Sequence, residues 1–302
     1  MNVTSLKVIL LAILACLLWS TAFVGIKIGL QYTTPLQFAG IRFFLAGIIL
    51  IPFARNLQGY YRTITKHFKI ILKVSAFQTI LLYALFYYGI DLLPGSLAAI
   101  IIGSQPLFAA IVAHLFIADD KMGLRKTLII SSGIFGIVLI AARKGLAGPE
   151  GLPELLGIAL LVLANIASGL GNVFVSKNKS SLSPIILNSS QMMIGGFILF
   201  LISLVSESLP QISFPADYFY ALSWLSLISA GAFTIWFMLL QKPYVKVSDL
   251  NIYKFIIPVF GAVLSWVILP NESPDLTSIA GMLIIGASVV IYALQTGKAT
   301  KK

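Results

Sequence analysis

Residues 95–118 read GSLAAIIIGSQPLFAAIVAHLFIA, and residues 250–269 read LNIYKFIIPVFGAVLSWVIL. Each run has the length and apolarity that an α-helix needs to cross a bilayer, about 20 residues. Each also carries a proline well inside it, Pro106 in one and Pro258 in the other, 152 positions apart. The same offset pairs Ser96 with Ser248, Ile100 with Ile252, Phe108 with Phe260, Ala110 with Ala262, Asp120 with Glu272 and Leu124 with Leu276. Upstream, an offset of 149 pairs Pro35 with Pro184, Gly47 with Gly196 and Leu50 with Leu199. Chance matches are common between apolar sequences, but prolines and acids in register are less so. A change of loop length accounts for the difference in offset.

Outward from this echo, ten apolar runs fill the chain: 8–30, 35–54, 74–92, 95–118, 125–142, 152–176, 184–206, 218–241, 250–269 and 275–295. Five fall in each half. Five is odd, so the second half must enter the membrane with the opposite orientation. The expected fold is an all-α integral membrane protein of ten transmembrane helices in two inverted five-helix repeats, residues 1–145 and 146–302. The longest connection, 55–73, leaves no room for a soluble domain. Barrel strands alternate in polarity, and these runs do not. Inverted repeats put a substrate site near the bilayer midplane and let it face the two sides in turn by rocking.

Composition agrees. Of 302 residues, 59% are hydrophobic and 10% charged, with a mean hydropathy of +0.98. Soluble chains carry roughly 25% charged residues, so most of this surface faces lipid. The net charge of +11 is spread between the apolar runs and forms no basic face. It therefore fits membrane topology and not a nucleic-acid partner. With the N-terminus in the cytoplasm, the cytoplasmic tails, loops and helix edges hold 16 of the 21 basic residues, against Arg143 and Lys144 outside. That bias predicts a multi-pass protein of the bacterial cytoplasmic membrane with both termini in the cytoplasm. The first run is too long for a signal peptide and reads as a retained helix. One cysteine, Cys16, and two histidines, His67 and His114, are too few for a disulfide or a metal cluster, so neither metal nor cofactor is expected.

The motifs resemble a known family. The run from Leu18 to Lys27, with Trp19-Ser20-Thr21-Ala22-Phe23, is similar to the opening of EamA-type drug/metabolite transporters, as is Pro35 followed by Arg42-Phe43-Phe44-Leu45-Ala46-Gly47. Ala84-Leu85-Phe86-Tyr87-Tyr88 through Ser96, then Pro106-Leu107-Phe108-Ala109-Ala110 and Asp119-Asp120, resemble that family's third and fourth helices. Pro258-Val259-Phe260-Gly261, Glu272 and Gly281 resemble its ninth and tenth. The resemblance covers the whole chain and rests on the order of the motifs. It implies two inverted five-helix repeats with the fifth and tenth helices peripheral, a cavity lined by the other eight, and export of small metabolites.

Polar residues inside the spans nominate the site. An ionisable group there costs at least ~2.5 kcal/mol on insertion scales and marks function by default. Arg42, two turns into the second span, has two readings. Its guanidinium either forks to a carboxylate or phosphate of a ligand, or holds helix-end carbonyls and reaches the headgroups. Gln191 is its counterpart in the other half. Lys254 and Lys27, near the ends of their spans, read first as interfacial anchors and second as cavity cations. None of the ten acids lies deep in a span. Export of lipophilic cations wants an intramembrane carboxylate, so neutral or anionic metabolites, amino acids included, are favoured.

Asn165, Ser168, Asn172 and Ser176 share one face of the sixth span. Gln78, Tyr83 and Tyr87 mark the third, Ser104-Gln105 the fourth, and Trp19, Phe23 and Lys27 one stripe of the first. Such groups bind other helices or line a cavity, and both readings stay open. The candidate substrate cavity is Trp19, Phe23, Arg42, Gln78, Tyr87, Ser104, Asn165, Asn172, Gln191, Trp236 and Lys254, with Pro106 and Pro258 as hinges or static bends. An enzyme would need paired acids or a Cys–His pair at depth, and none is present. A non-transporting scaffold has no use for an inverted repeat. The expected function is secondary transport, with a small metabolite and the bilayer as partners and a homodimer left open.

Overall fold

A computed structural model of the chain describes residues 3–54, 57–117, 122–142, 151–177, 182–208, 214–245 and 247–299. The 145/146 boundary, Asp119, Asp120, Arg143 and Lys144 lie outside the described residues. Among those described, every regular element is helical. Seven helical stretches are long and apolar enough to cross a bilayer: Leu6–Gly29, Pro35–Phe53, Gln58–Asp91, Gly95–Phe116, Gly151–Lys177, Pro184–Ser206 and Ala216–Leu240. The expected spans 125–142, 250–269 and 275–295 contain shorter apolar helices.

Several of these stretches are built from pieces. The first is α1 (Val3–Ser20) and α2 (Ala22–Gly29), parted at Thr21, whose hydroxyl donates back to the Leu18 carbonyl. It is followed by α3 (Pro35–Leu50), which starts on proline, where the missing N–H costs nothing. Next, α4 (Leu57–Ser75) passes through a π-helical turn, Ala76–Ile80, into α5 (Leu81–Asp91). The stretch 55–73, expected as a connection, is thus largely helix. Its helical period is masked by charge: Tyr60, Ile71 and Val74 are buried on one face while Arg62, Lys66, Lys69 and Lys73 are exposed on another. That is an amphipathic pattern. His67, with φ −112° and ψ 18°, kinks it.

The fourth stretch breaks at Gly103–Ser104 into α6 (Gly95–Ile102) and α7 (Gln105–Phe116). Then come α8 (Leu124–Ala142), α9 (Gly151–Lys177), α10 (Pro184–Ser206) and α11 (Ala216–Leu240). The run at 250–269 is broken too, with α12 (Val247–Asn251), a 3-10 turn at Ile252–Phe255 and α13 (Ile256–Ile268). Last is α14 (Leu276–Ala299), which pairs with α8 through Ser132 and Ser288, 2.9 Å between hydroxyl oxygens.

Glycines set the closest crossings. A Cβ on Gly196 of α10 would stand 2.4 Å from the Phe44 backbone nitrogen, and one on Gly47 of α3 would stand 2.7 Å from the Ser189 carbonyl oxygen. The two glycines paired by the sequence offset therefore serve one helix crossing, where small residues let backbones meet. A Cβ on Gly103 would stand 2.3 Å from Cγ of Pro258. The two interrupted stretches thus touch at their interruptions.

One end of the bundle is strapped by acids. The Glu272 carboxylate accepts from the backbone N–H groups of Gly95 and Ser96 at 2.6 and 2.8 Å, covering the N-terminus of α6. Glu207 does the same for Leu36 and Gln37 at the start of α3. Lys27 Nζ at that end donates to the Ile90 and Leu93 carbonyls at 3.3 and 3.1 Å, completing the C-terminus of α5. These are the complementary pairings that helix dipoles favour.

Candidate functional site

Irregular backbone at membrane depth survives only where protein or a cavity surrounds it. Here the break after Trp19, the π turn holding Gln78, the gap between Ile102 and Gln105, and the 3-10 turn holding Lys254 all open on one cavity. Its free volume is about 70 Å³, well below that of an open small-molecule site, so the lining side chains close tightly on it. Six aromatic residues, Trp19, Phe23, Tyr83, Phe86, Phe233 and Trp236, line it. Trp19 packs edge-on against Phe233 and Trp236 with centroids 5.0 and 5.2 Å apart, and Phe233 reaches Tyr83 at 6.2 Å.

Two cations line this wall. Arg42 is 1% exposed. Its Nε donates to Ser229 Oγ at 2.9 Å and one terminal nitrogen donates to Tyr87 Oη at 2.8 Å. Its guanidinium carbon lies 4.8 Å from the Phe43 ring centroid and 5.9 Å from that of Tyr83. Lys254 is 4% exposed and donates to Gln105 Oε1. Its Nζ stands 4.6 Å from the Trp236 centroid and 5.4 Å from that of Trp19, a cation–π arrangement with both. Among the described residues no acidic side chain lines the cavity. Of the two readings open for each cation, the structure adopts the cavity-lining one for Arg42 and Lys254. Lys254 does not snorkel because the 3-10 turn aims it inward beneath the two indoles. Lys27 serves the α5 terminus instead.

The nominated residues divide into two groups. Trp19, Phe23, Arg42, Gln78, Asn172, Trp236 and Lys254 line the cavity. Tyr87, Ser104, Asn165 and Gln191 do not. Tyr87 holds Arg42 from behind. Ser104 turns its hydroxyl back to the Ile101 carbonyl, and Asn165 Nδ2 donates to that same carbonyl at 3.0 Å and to Ser104 Oγ at 3.1 Å. These two residues brace the α6–α7 break. Gln191 is buried between Thr79 and Asn188, so its pairing with Arg42 in sequence does not extend to the cavity. Gln78 donates to Asn172 Oδ1 at 2.8 Å, and Asn172 donates to Asn251 Oδ1 at 3.2 Å, a polar chain across three helical stretches that stiffens the second break.

Pro106 and Pro258 each sit in the first turn after a break, Pro106 in α7 and Pro258 in α13. His114 Nδ1 accepts from the Met122 N–H at 3.0 Å, tying α7 to the start of α8. Gln105, Tyr83, Phe86, Phe233 and Ser168 line the cavity beyond the nominated set.

The profile of the EamA-like transporter family matches residues 6–142 and again 155–294. The chain belongs to the EamA-like transporter family. Its relatives include the uncharacterized transporters YoaV and YvbV of Bacillus subtilis. YoaV is 25% identical, covering 92% of this chain and 94% of its own length. YvbV is 28% identical, covering 94% and 90%. A WAT1-related chloroplastic protein of Arabidopsis thaliana is 25% identical over 91% of this chain and 66% of its own. A crystal structure superposes with a TM-score of 0.70 over 97% of this chain and 98% of its own, at 16% identity, which shows a shared fold. Membership makes this a multi-pass membrane transporter, and the four-break cavity is the candidate transport site of an EamA-like chain.

Proposed function

We propose that this chain is a secondary transporter that exports small neutral or anionic metabolites across the bacterial cytoplasmic membrane by alternating access. In this reading residues 1–145 and 146–302 are inverted five-helix repeats, ten helices cross the membrane, and both termini lie in the cytoplasm. The basic residues support that orientation, and the paired offsets support the repeat. The observation that carries the substrate class is the cavity with two buried cations, six aromatic residues and no acid among the described residues. Such a site repels a cation and stabilises an anion, because a buried positive charge without a partner is costly. The strapped end supports a state closed at the Glu207 and Glu272 side, which in this orientation is the outer side.

The test is metabolite profiling of cells with and without the protein, followed by uptake into reconstituted vesicles by the wild type, Arg42→Lys and Arg42→Gln. Lys keeps the charge and loses the fork, whereas Gln loses both. An anionic substrate is expected to show progressive loss across the series with folding unchanged. Normal affinity in a well-folded Arg42→Gln removes the anionic arm and leaves Gln78 and Asn172 to recognise a neutral substrate.

A further inference from the structure

Resting on that reading, we propose that the ligand is an organic dianion, two acidic groups joined by an apolar segment, and that a second anion subsite at Lys254, Trp19 and Trp236 takes one of them. The first subsite is Arg42. With Nε given to Ser229 and one N–H to Tyr87, the guanidinium keeps N–H groups for a carboxylate. The second subsite is a cluster of donors lacking acceptors. The indole Nε1–H groups of Trp19 and Trp236 are both buried and both without a hydrogen-bond partner among the described residues. Buried donors are ordinarily paired, so two orphans on one cavity wall call for an acceptor. Both rings lie within 5.4 Å of Lys254 Nζ, whose protein partner is the neutral Gln105 side chain. An ammonium and two unpaired indole N–H groups, with no acidic side chain among the described residues that line the cavity, are a donor set of the kind a carboxylate takes.

The two cations stand against different rings, Arg42 against Phe43 and Tyr83, Lys254 against Trp236 and Trp19. From Arg42 the wall passes to the Tyr83 ring at 5.9 Å, then to Phe233, then to Trp19, and only then to Lys254. Those three rings offer an apolar face to whatever joins the acidic groups. A single carboxylate satisfies one cation and strands the other. A dianion satisfies both, and an amine finds no counter-charge.

The experiment is titration of the purified full chain in nanodiscs with straight-chain dicarboxylates from succinate to suberate, with hexanoate, and with the dimethyl ester of adipate. The best dicarboxylate is expected to bind at least about tenfold tighter than hexanoate, as a second charge-assisted contact gives, and the diester is expected not to bind. In Lys254→Met, and separately in Trp19→Phe with Trp236→Phe, the advantage of the dicarboxylate should fall below about threefold while hexanoate still binds. Persistence of hexanoate binding shows that the variants fold. Equal affinity of hexanoate and every dicarboxylate for the wild type overturns the dianion proposal, and leaves anion transport standing if Arg42→Gln weakens hexanoate. An undiminished dicarboxylate advantage in both variants overturns the second subsite. Binding of the diester as tight as that of the acids overturns the proposal together with the anionic reading beneath it.

Discussion

Glu272 offers a measurable consequence of the strapped end. Its carboxylate receives two backbone N–H groups at 2.6 and 2.8 Å. In Glu272→Gln the amide keeps one acceptor and turns its NH₂ toward the other N–H, losing a charge-assisted bond and the favourable charge at a helix N-terminus. Glu272 is half-buried, which discounts the charge. The loss comes to about 1–2 kcal/mol, in line with helix caps generally. If the strap exists only in the state closed at this end, that loss shifts the population toward the open state by about 5- to 30-fold.

Ser265 reports the shift. It is buried, and its hydroxyl lies 3.1 Å from where a Cβ on Gly95 would stand. A Ser265→Cys chain carrying Cys16→Ser, in right-side-out vesicles, should react with a membrane-impermeant maleimide faster by that factor once Glu272→Gln is added. A lowered thermal midpoint with an unchanged labelling rate would show that Glu272 caps a helix and holds no gate. An unchanged midpoint would refute the energy itself.

Gly103→Ala drives a methyl into the ring of Pro258 and should cost about 1–3 kcal/mol as overpacking does, with Pro258→Ala restoring part of it in the double variant; thermal unfolding reads both. Gly196→Ala meets rigid backbone at Phe44 and should cost at least as much with no such rescue. Asn165→Ala removes two donated bonds, to the Ile101 carbonyl and to Ser104 Oγ, and should lower stability by about 1–2 kcal/mol while leaving substrate affinity in vesicles within about twofold. Asn172→Ala should lower both, since that residue binds Gln78 and lines the cavity.

The membrane-embedded helices and the pairing of Pro106 with Pro258 were legible because long apolar runs and rigid residues carry their meaning locally. Helix α4 was not, because four exposed basic residues made an amphipathic helix read as a charged connection. Ser104 and Gln105 show the limit of reading a face from spacing. They differ by one position, about 100° around a helix, and the break between them sends the hydroxyl back to its own backbone and the amide into the cavity. Lys254 stayed open between anchor and cavity cation for a similar reason: distance from a span's end predicts snorkelling only if the backbone stays α-helical, and a 3-10 turn holds this residue. The 149-residue offset pairs Gln191 with Arg42, yet different neighbours, Thr79 and Asn188 against Ser229 and Tyr87, give the two positions different work.

The contact between Gly103 and Pro258 bears on how such transporters can be recombined. A hybrid gene that joins the first half of this chain to the second half of a relative inherits each interruption from a different parent. Where the incoming half brings a proline opposite Gly103, the two interruptions nest without loss. In the reciprocal hybrid, where a relative's first half brings a side chain in place of Gly103 against Pro258, that side chain is a wedge at the contact, however well the outer helices match. Shuffling halves to change cargo should therefore select partners at these two positions before any residue of the cavity itself.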